Sequence, residues 1–141
     1  MYFYCHGGEF RGGVAYLKIG PENNLGNFRP GDKDDEILWT APRPLVFLNG
    51  CHTAEIDPDS AFDLIDPFIK KSKSAGVIGT NITIFEPMAT VFAQEFFDQF
   101  VKGVPAGVAV RNARLEILDY GDPMGLVYIP FVYAGLNLEK G

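Results

Sequence analysis

Basic runs, cysteines and long apolar stretches are all scarce in this chain, and each shortage excludes a class of protein. Lys and Arg number 12 against 18 Asp and Glu, a formal net charge of −6. Binding nucleic acid through counterion release needs a basic face. Only Lys70-Lys71-Ser72-Lys73 is locally basic, and it reads as a solvated helix end. Two cysteines make no disulfide framework. No apolar run approaches the roughly 20 residues of a membrane span. The first residues have neither the basic n-region nor the long apolar h-region of a secretory signal. These absences predict a soluble, cytoplasmic protein with no nucleic-acid or membrane partner. Core-forming material, by contrast, is plentiful: 47% apolar residues and 12 Phe, which excludes intrinsic disorder. The length suits one domain, residues 1–141.

Apolar runs without polar alternation suit strands buried on both faces, as in a parallel sheet. Four such runs stand out: Tyr2 to Cys5, Leu45 to Leu48, Val77-Ile78 between glycines, and Phe131 to Ala134. Val14 to Ile19 alternates better and reads as a peripheral strand of a hairpin-like excursion. Residues 20–42 hold Gly, Pro, Asn and Asp in abundance and read as a long loop with a short helix near Ile37. Residues 60–73 have helical spacing, with a kink or restart at Pro67. Pro87 opens a helix whose stripe is Met88, Phe92, Phe96 and Phe100, and Gly103 stops it. Pro105 opens another, with Ala106, Ala109, Val110, Ala113 and Ile117 on one face, ended by Gly121. The Phe stripe reads as packing against a sheet, not a cofactor box. The predicted fold is an open, mostly parallel α/β sheet flanked by helices.

In open parallel sheets the working residues sit just past the carboxyl ends of the strands. The first strand runs into His6-Gly7-Gly8 and the second into Asn49-Gly50-Cys51-His52-Thr53. An imidazole and a thiol on neighbouring strand tips make a Cys–His dyad, in which His6 favours the Cys51 thiolate and later protonates a leaving amine. The backbone N–H groups of Gly7 and Cys51 are candidate oxyanion donors. Cys5 lies within the first strand and faces away from His6, as core packing. His52 is either a second group behind the dyad or an idle surface imidazole. Cys5-His6 with Cys51-His52 lacks the ligand spacing of a zinc site, and the proposed chemistry needs no metal or cofactor. Arg111 and Arg114 read as surface or helix-end pairs. Glu86 is placed either for contact with the positive end of a helix or beside a substrate. Asn49 is either a turn residue or a pocket wall.

These motifs, in this order, resemble the C-terminal part of a CHAT domain, a branch of the caspase-like cysteine peptidases related to separases and metacaspases. The matching segments are Tyr2 to Gly7, Leu45 to Thr53, Ala75-Gly76-Val77-Ile78-Gly79-Thr80, the 81–89 loop and helix start, the Gly103 to Arg114 helix, and Phe131 to Gly135. Asn49-Gly50-Cys51-His52-Thr53 is similar in shape to the metacaspase Asp-x-Cys-His-Ser string. The resemblance implies a cysteine-type endopeptidase acting on protein or peptide substrates, with Asn49 and Glu86 near the bound substrate. It also implies that two strands and their helices belong before the His strand. The chain then reads as an N-terminally incomplete unit, with an upstream domain or a partner chain covering the open sheet edge. The competing expectation is a catalytically silent scaffold or regulatory domain of a larger, repeat-containing protein.

Overall fold

The computed structural model describes residues 1–10, 14–19, 26–28, 38–50 and 64–138. Its strands are β1 (Tyr2–Tyr4), β2 (His6–Phe10), β3 (Val14–Ile19), β4 (Gly26–Phe28), β5 (Leu45–Asn49), β6 (Gly76–Thr80) and β7 (Tyr128–Val132). Two longer helices, α1 (Glu86–Phe100) and α2 (Ala106–Asp119), lie between β6 and β7. The main sheet has the order β1-β5-β6-β7. β1, β5 and β6 run parallel, and β7 runs antiparallel to β6. This is the expected α/β architecture. No helix among the described residues is long and apolar enough to cross a membrane.

The apolar runs of β5 and β6 make sense once both faces of the sheet are covered. Successive side chains alternate between faces. Leu45, Phe47 and Ile78 join Phe92, Phe96, Ala109 and Ile117 on the side of α1 and α2. Val46, Leu48 and Val77 join Leu17, Leu64, Ile65 and Phe68 on the other side. Every residue of β5 and β6 is buried. The Phe stripe of α1 is core, with Phe92, Phe96 and Phe100 all buried. Pro67 stands at the first position of a short π-helical segment, Pro67–Lys71, where its missing N–H costs nothing.

Three expectations are corrected. His6 and Gly7, expected at the end of the first strand, belong instead to a strand of their own. The chain breaks strand pairing only at Cys5 and re-enters an extended segment, β2, which pairs antiparallel with β3. Within 20–42, Gly26–Phe28 is a strand, paired antiparallel with β3; Ile37 lies outside the described residues. The last strand starts at Tyr128 and is antiparallel, with one buried and four half-buried residues. The reason is the helical hairpin. α1 leaves the carboxyl end of β6, α2 packs against it and returns, and β7 begins where β6 ends, with Tyr128 opposite Thr80.

Gly76 marks the closest approach of β6 to β7. A Cβ there would lie 2.7 Å from Val132 Cβ and 2.9 Å from the Phe131 carbonyl oxygen. Forcing atoms into a packed site costs about 1–3 kcal/mol. Gly76→Ala is therefore expected to lower the unfolding free energy by that amount, seen as a lower urea midpoint with an unchanged m-value; an unchanged midpoint would show that β7 yields freely.

Candidate active site

The carboxyl ends of β1, β5 and β6 lie side by side, and the buried polar residues of the central strands gather there. Asn49 closes β5 and is 1% exposed. A buried amide needs partners for its donors and its acceptor. Its Nδ2 donates to the Tyr2 hydroxyl at 2.9 Å and to the Ala89 carbonyl at 3.1 Å. Its Oδ1 accepts from the Tyr128 hydroxyl at 2.5 Å. One side chain thus ties together β1, β5, α1 and β7. The next residue, Gly50, is buried, and its carbonyl accepts from the Thr80 hydroxyl at the end of β6.

Tyr128 is itself firmly held. It is 0% exposed. Its ring stacks on Phe92 with centroids 3.6 Å apart and planes 10° from parallel. Arg114 Nη2 donates to its carbonyl at 2.6 Å. Arg114 therefore anchors the start of β7 and is not a surface pair; partial burial lowers its pKa.

His6 opens β2 directly after the β1 tip, where the Cys5 N–H donates to the Asn49 carbonyl at 3.4 Å. Gly7 follows, opposite Leu17 of β3. The backbone therefore brings His6 and Gly7 beside the end of β5. Cys51 and His52, together with the His6 imidazole, lie outside what the structure describes. Cys5 packs against the cluster around Val46, Leu48 and Phe68, and burial pushes its thiol up to about 11.

Glu86 is exposed in the first turn of α1. It lines an open groove of about 610 Å³ with Tyr2, Thr90, Ala93, Gln94, Phe97 and Asp98. Ala89, whose carbonyl holds Asn49, stands three residues further on, about one helical turn. Glu86, Tyr2 and Asn49 thus belong to one neighbourhood.

No family model matches the chain. A protein of Vitiosangium sp. (strain GDMCC 1.1324), named a probable protease, is 45% identical over 143 residues. The match takes in 98% of this chain, which spans about a fifth, 19%, of that relative's length.

Sequence reasoning missed Tyr2, Thr80 and Tyr128 as members of this neighbourhood. A signal for them did exist. An Asn closing an otherwise apolar buried strand must find partners, and hydroxyl-bearing residues beginning or ending neighbouring strands are the candidates. Their pairing over 47 and 79 residues of sequence has no local signature.

Proposed function

We propose that this chain is the catalytic part of a cysteine endopeptidase of the caspase-like, CHAT type, with Cys51 as nucleophile and His6 as its acid–base partner. One observation carries the reading. β1 and β5 run in parallel register with a constant offset of 45 residues, Tyr2 opposite Phe47 and Tyr4 opposite Asn49. The same 45 residues separate His6 from Cys51. That register ends at Tyr4 and Asn49, two residues before His6 and Cys51, so both candidate residues follow directly on the tips of adjacent parallel strands. The likeness to a protein named a probable protease supports peptide-bond hydrolysis as the reaction.

In this reading His6 takes the Cys51 proton, and the thiolate Sγ bonds to the substrate carbonyl carbon. The carbonyl electron pair moves to oxygen, which accepts from the N–H groups of Gly7 and Cys51. The C–N bond then breaks, and the amine leaves with the proton from His6. Water, losing a proton to His6, attacks the thioester and frees the acid and the thiol. Asn49 acts by positioning, since its amide already bonds to Tyr2, Ala89 and Tyr128. Among the described residues, the groove beside β1 is lined by two carboxylates, Glu86 and Asp98, and by no Lys or Arg. It suits a basic or neutral part of the substrate, since a carboxylate would need cationic partners. Among the described residues β1 pairs with β5 alone, and a further segment, from the same chain or a partner, completes the cleft along its outer edge.

Alkylation kinetics test the assignment. A thiolate paired with an imidazolium reacts at neutral pH, because its pKa falls to about 3.5–7.5. Cys5, raised to about 11, stays protonated there and gains reactivity only as the pH climbs toward that value. Iodoacetamide at pH 7, followed by peptide mapping, is expected to modify Cys51 on the order of 100-fold faster than Cys5. A peptidyl chloromethyl ketone ending in Arg or Ala should label Cys51 faster than one ending in Asp. Equal labelling of the two cysteines contradicts the dyad, and a preference for Asp contradicts the groove assignment.

A further inference from the structure

The described buried polar residues are few: Asn49, Ser72, Ser74 and Thr80. Two of the four close the central strands β5 and β6, on the side from which the chain proceeds to Cys51. Thr80 and Tyr128 are direct cross-strand neighbours in the β6–β7 ladder. From those adjacent positions they grip consecutive residues of the β5 tip, Tyr128 through the Asn49 side chain and Thr80 through the Gly50 carbonyl. β7 is not the neighbour of β5, so the Tyr128 hydroxyl reaches across β6 to do this. Its ring is stacked on Phe92 and its carbonyl is held by Arg114, so it can act as a fixed point.

Stability alone gives little reason for such an arrangement. A buried polar network adds little net stability over apolar packing, but it restricts its members to one geometry. That restriction is useful where a reacting atom must be held, since a displacement of about 1 Å can cost on the order of 100-fold in rate.

We infer that Thr80 and Tyr128 are positioning residues that hold the two residues before Cys51, and so set the nucleophile against His6. The inference rests on the Cys51–His6 reading above. It predicts a loss in turnover without a matching loss in substrate binding, because neither hydroxyl touches substrate.

The experiment uses the full chain and four variants: Tyr128→Phe, Thr80→Val, Thr80→Ser, and Ile117→Val as a buried control outside the site. Thermal unfolding identifies the temperature at which all are folded. Peptide turnover and the pH profile of Cys51 alkylation are then measured. Tyr128→Phe and Thr80→Val are expected to lower kcat by about tenfold to 100-fold with KM within twofold. The alkylation profile of Cys51 should shift toward that of a His6→Ala chain. Thr80→Ser, which keeps the hydroxyl, should recover most of the loss, and Ile117→Val should match the unaltered chain. If the unaltered chain alkylates Cys51 independently of His6, the dyad fails and this inference fails with it. If His6 dependence and turnover are intact, and Tyr128→Phe and Thr80→Val behave as the unaltered chain, this inference alone is overturned. Loss in Thr80→Ser as large as in Thr80→Val would likewise refute the role of the hydroxyl.

Discussion

Cys51→Ala is expected to reduce peptide hydrolysis to the background rate, and His6→Ala to lower kcat/KM by about 10²–10⁴-fold. The two effects differ because the residues have different tasks. Without the sulfur no acyl-enzyme forms, and Ala offers no substitute nucleophile. Without the imidazole the thiol still ionises to a small extent at neutral pH, and the leaving amine can draw a proton from water, so a slow reaction persists. The double variant should be no worse than Cys51→Ala alone, since residues that act as a unit are not additive. Rates with a fluorogenic peptide, alongside a Cys5→Ala control that keeps most of the activity, provide the measurement. A Cys51→Ala chain retaining more than about a tenth of the rate would show that another group is the nucleophile.

Phe47→Ala is expected to cost about 3–5 kcal/mol of stability. Phe47 is 0% exposed at the middle of β5. Its ring lies 5.2 to 6.2 Å, centroid to centroid, from those of Tyr2, Phe92, Phe96, Phe97 and Tyr128. Removing it loses the transfer free energy of a phenyl group and leaves a void. The walls of that void are the central sheet and α1, neither of which can close over it without breaking strand pairing or helix packing. The cost should therefore fall in the upper part of the range for such substitutions. Phe85→Ala supplies the contrast, because Phe85 is 70% exposed ahead of α1 and surface changes are usually within about 0.5 kcal/mol. Equilibrium urea unfolding measures both. A loss below about 1.5 kcal/mol at Phe47 would mean that the aromatic cluster repacks.

Much of the neighbourhood around the proposed dyad could be located from local pattern, with clear limits. Ending an apolar run with His-Gly and another with Asn-Gly-Cys is enough to direct attention to adjacent strand tips. The parallel pairing of β1 with β5 agrees with that expectation at the backbone level. Asn49 was legible as a residue of interest but not as a clamp, since its partners come from β1, α1 and β7. Glu86 was legible at a helix start, whereas the groove it lines also requires Tyr2 from the far end of the chain.

The sequence by itself determined the two central buried strands, β5 and β6, and the two long helices, whereas β1, with Tyr2 exposed, and β7 are less buried than their apolar runs imply. The signals for these central strands and helices, unbroken apolar runs and i+4 stripes bounded by Pro and Gly, are carried within a dozen residues and depend on no distant partner. It also determined that aromatic rings would share the core with aliphatic side chains, since 12 Phe stand in a chain that is 47% apolar. The alternation of Val14 to Ile19 also marked the peripheral hairpin strand β3, whereas tertiary structure alone decided that His6–Phe10 would be its partner and that Leu17 would join the cluster around Phe68. It alone decided the direction of β7, which follows from α2 packing back along α1. The polar clamp on the β5 tip likewise exists only in three dimensions. Hydrogen bonding acts over about 3 Å, and residues as distant in sequence as Asn49 and Tyr128 come within that reach only after the helices between them have packed.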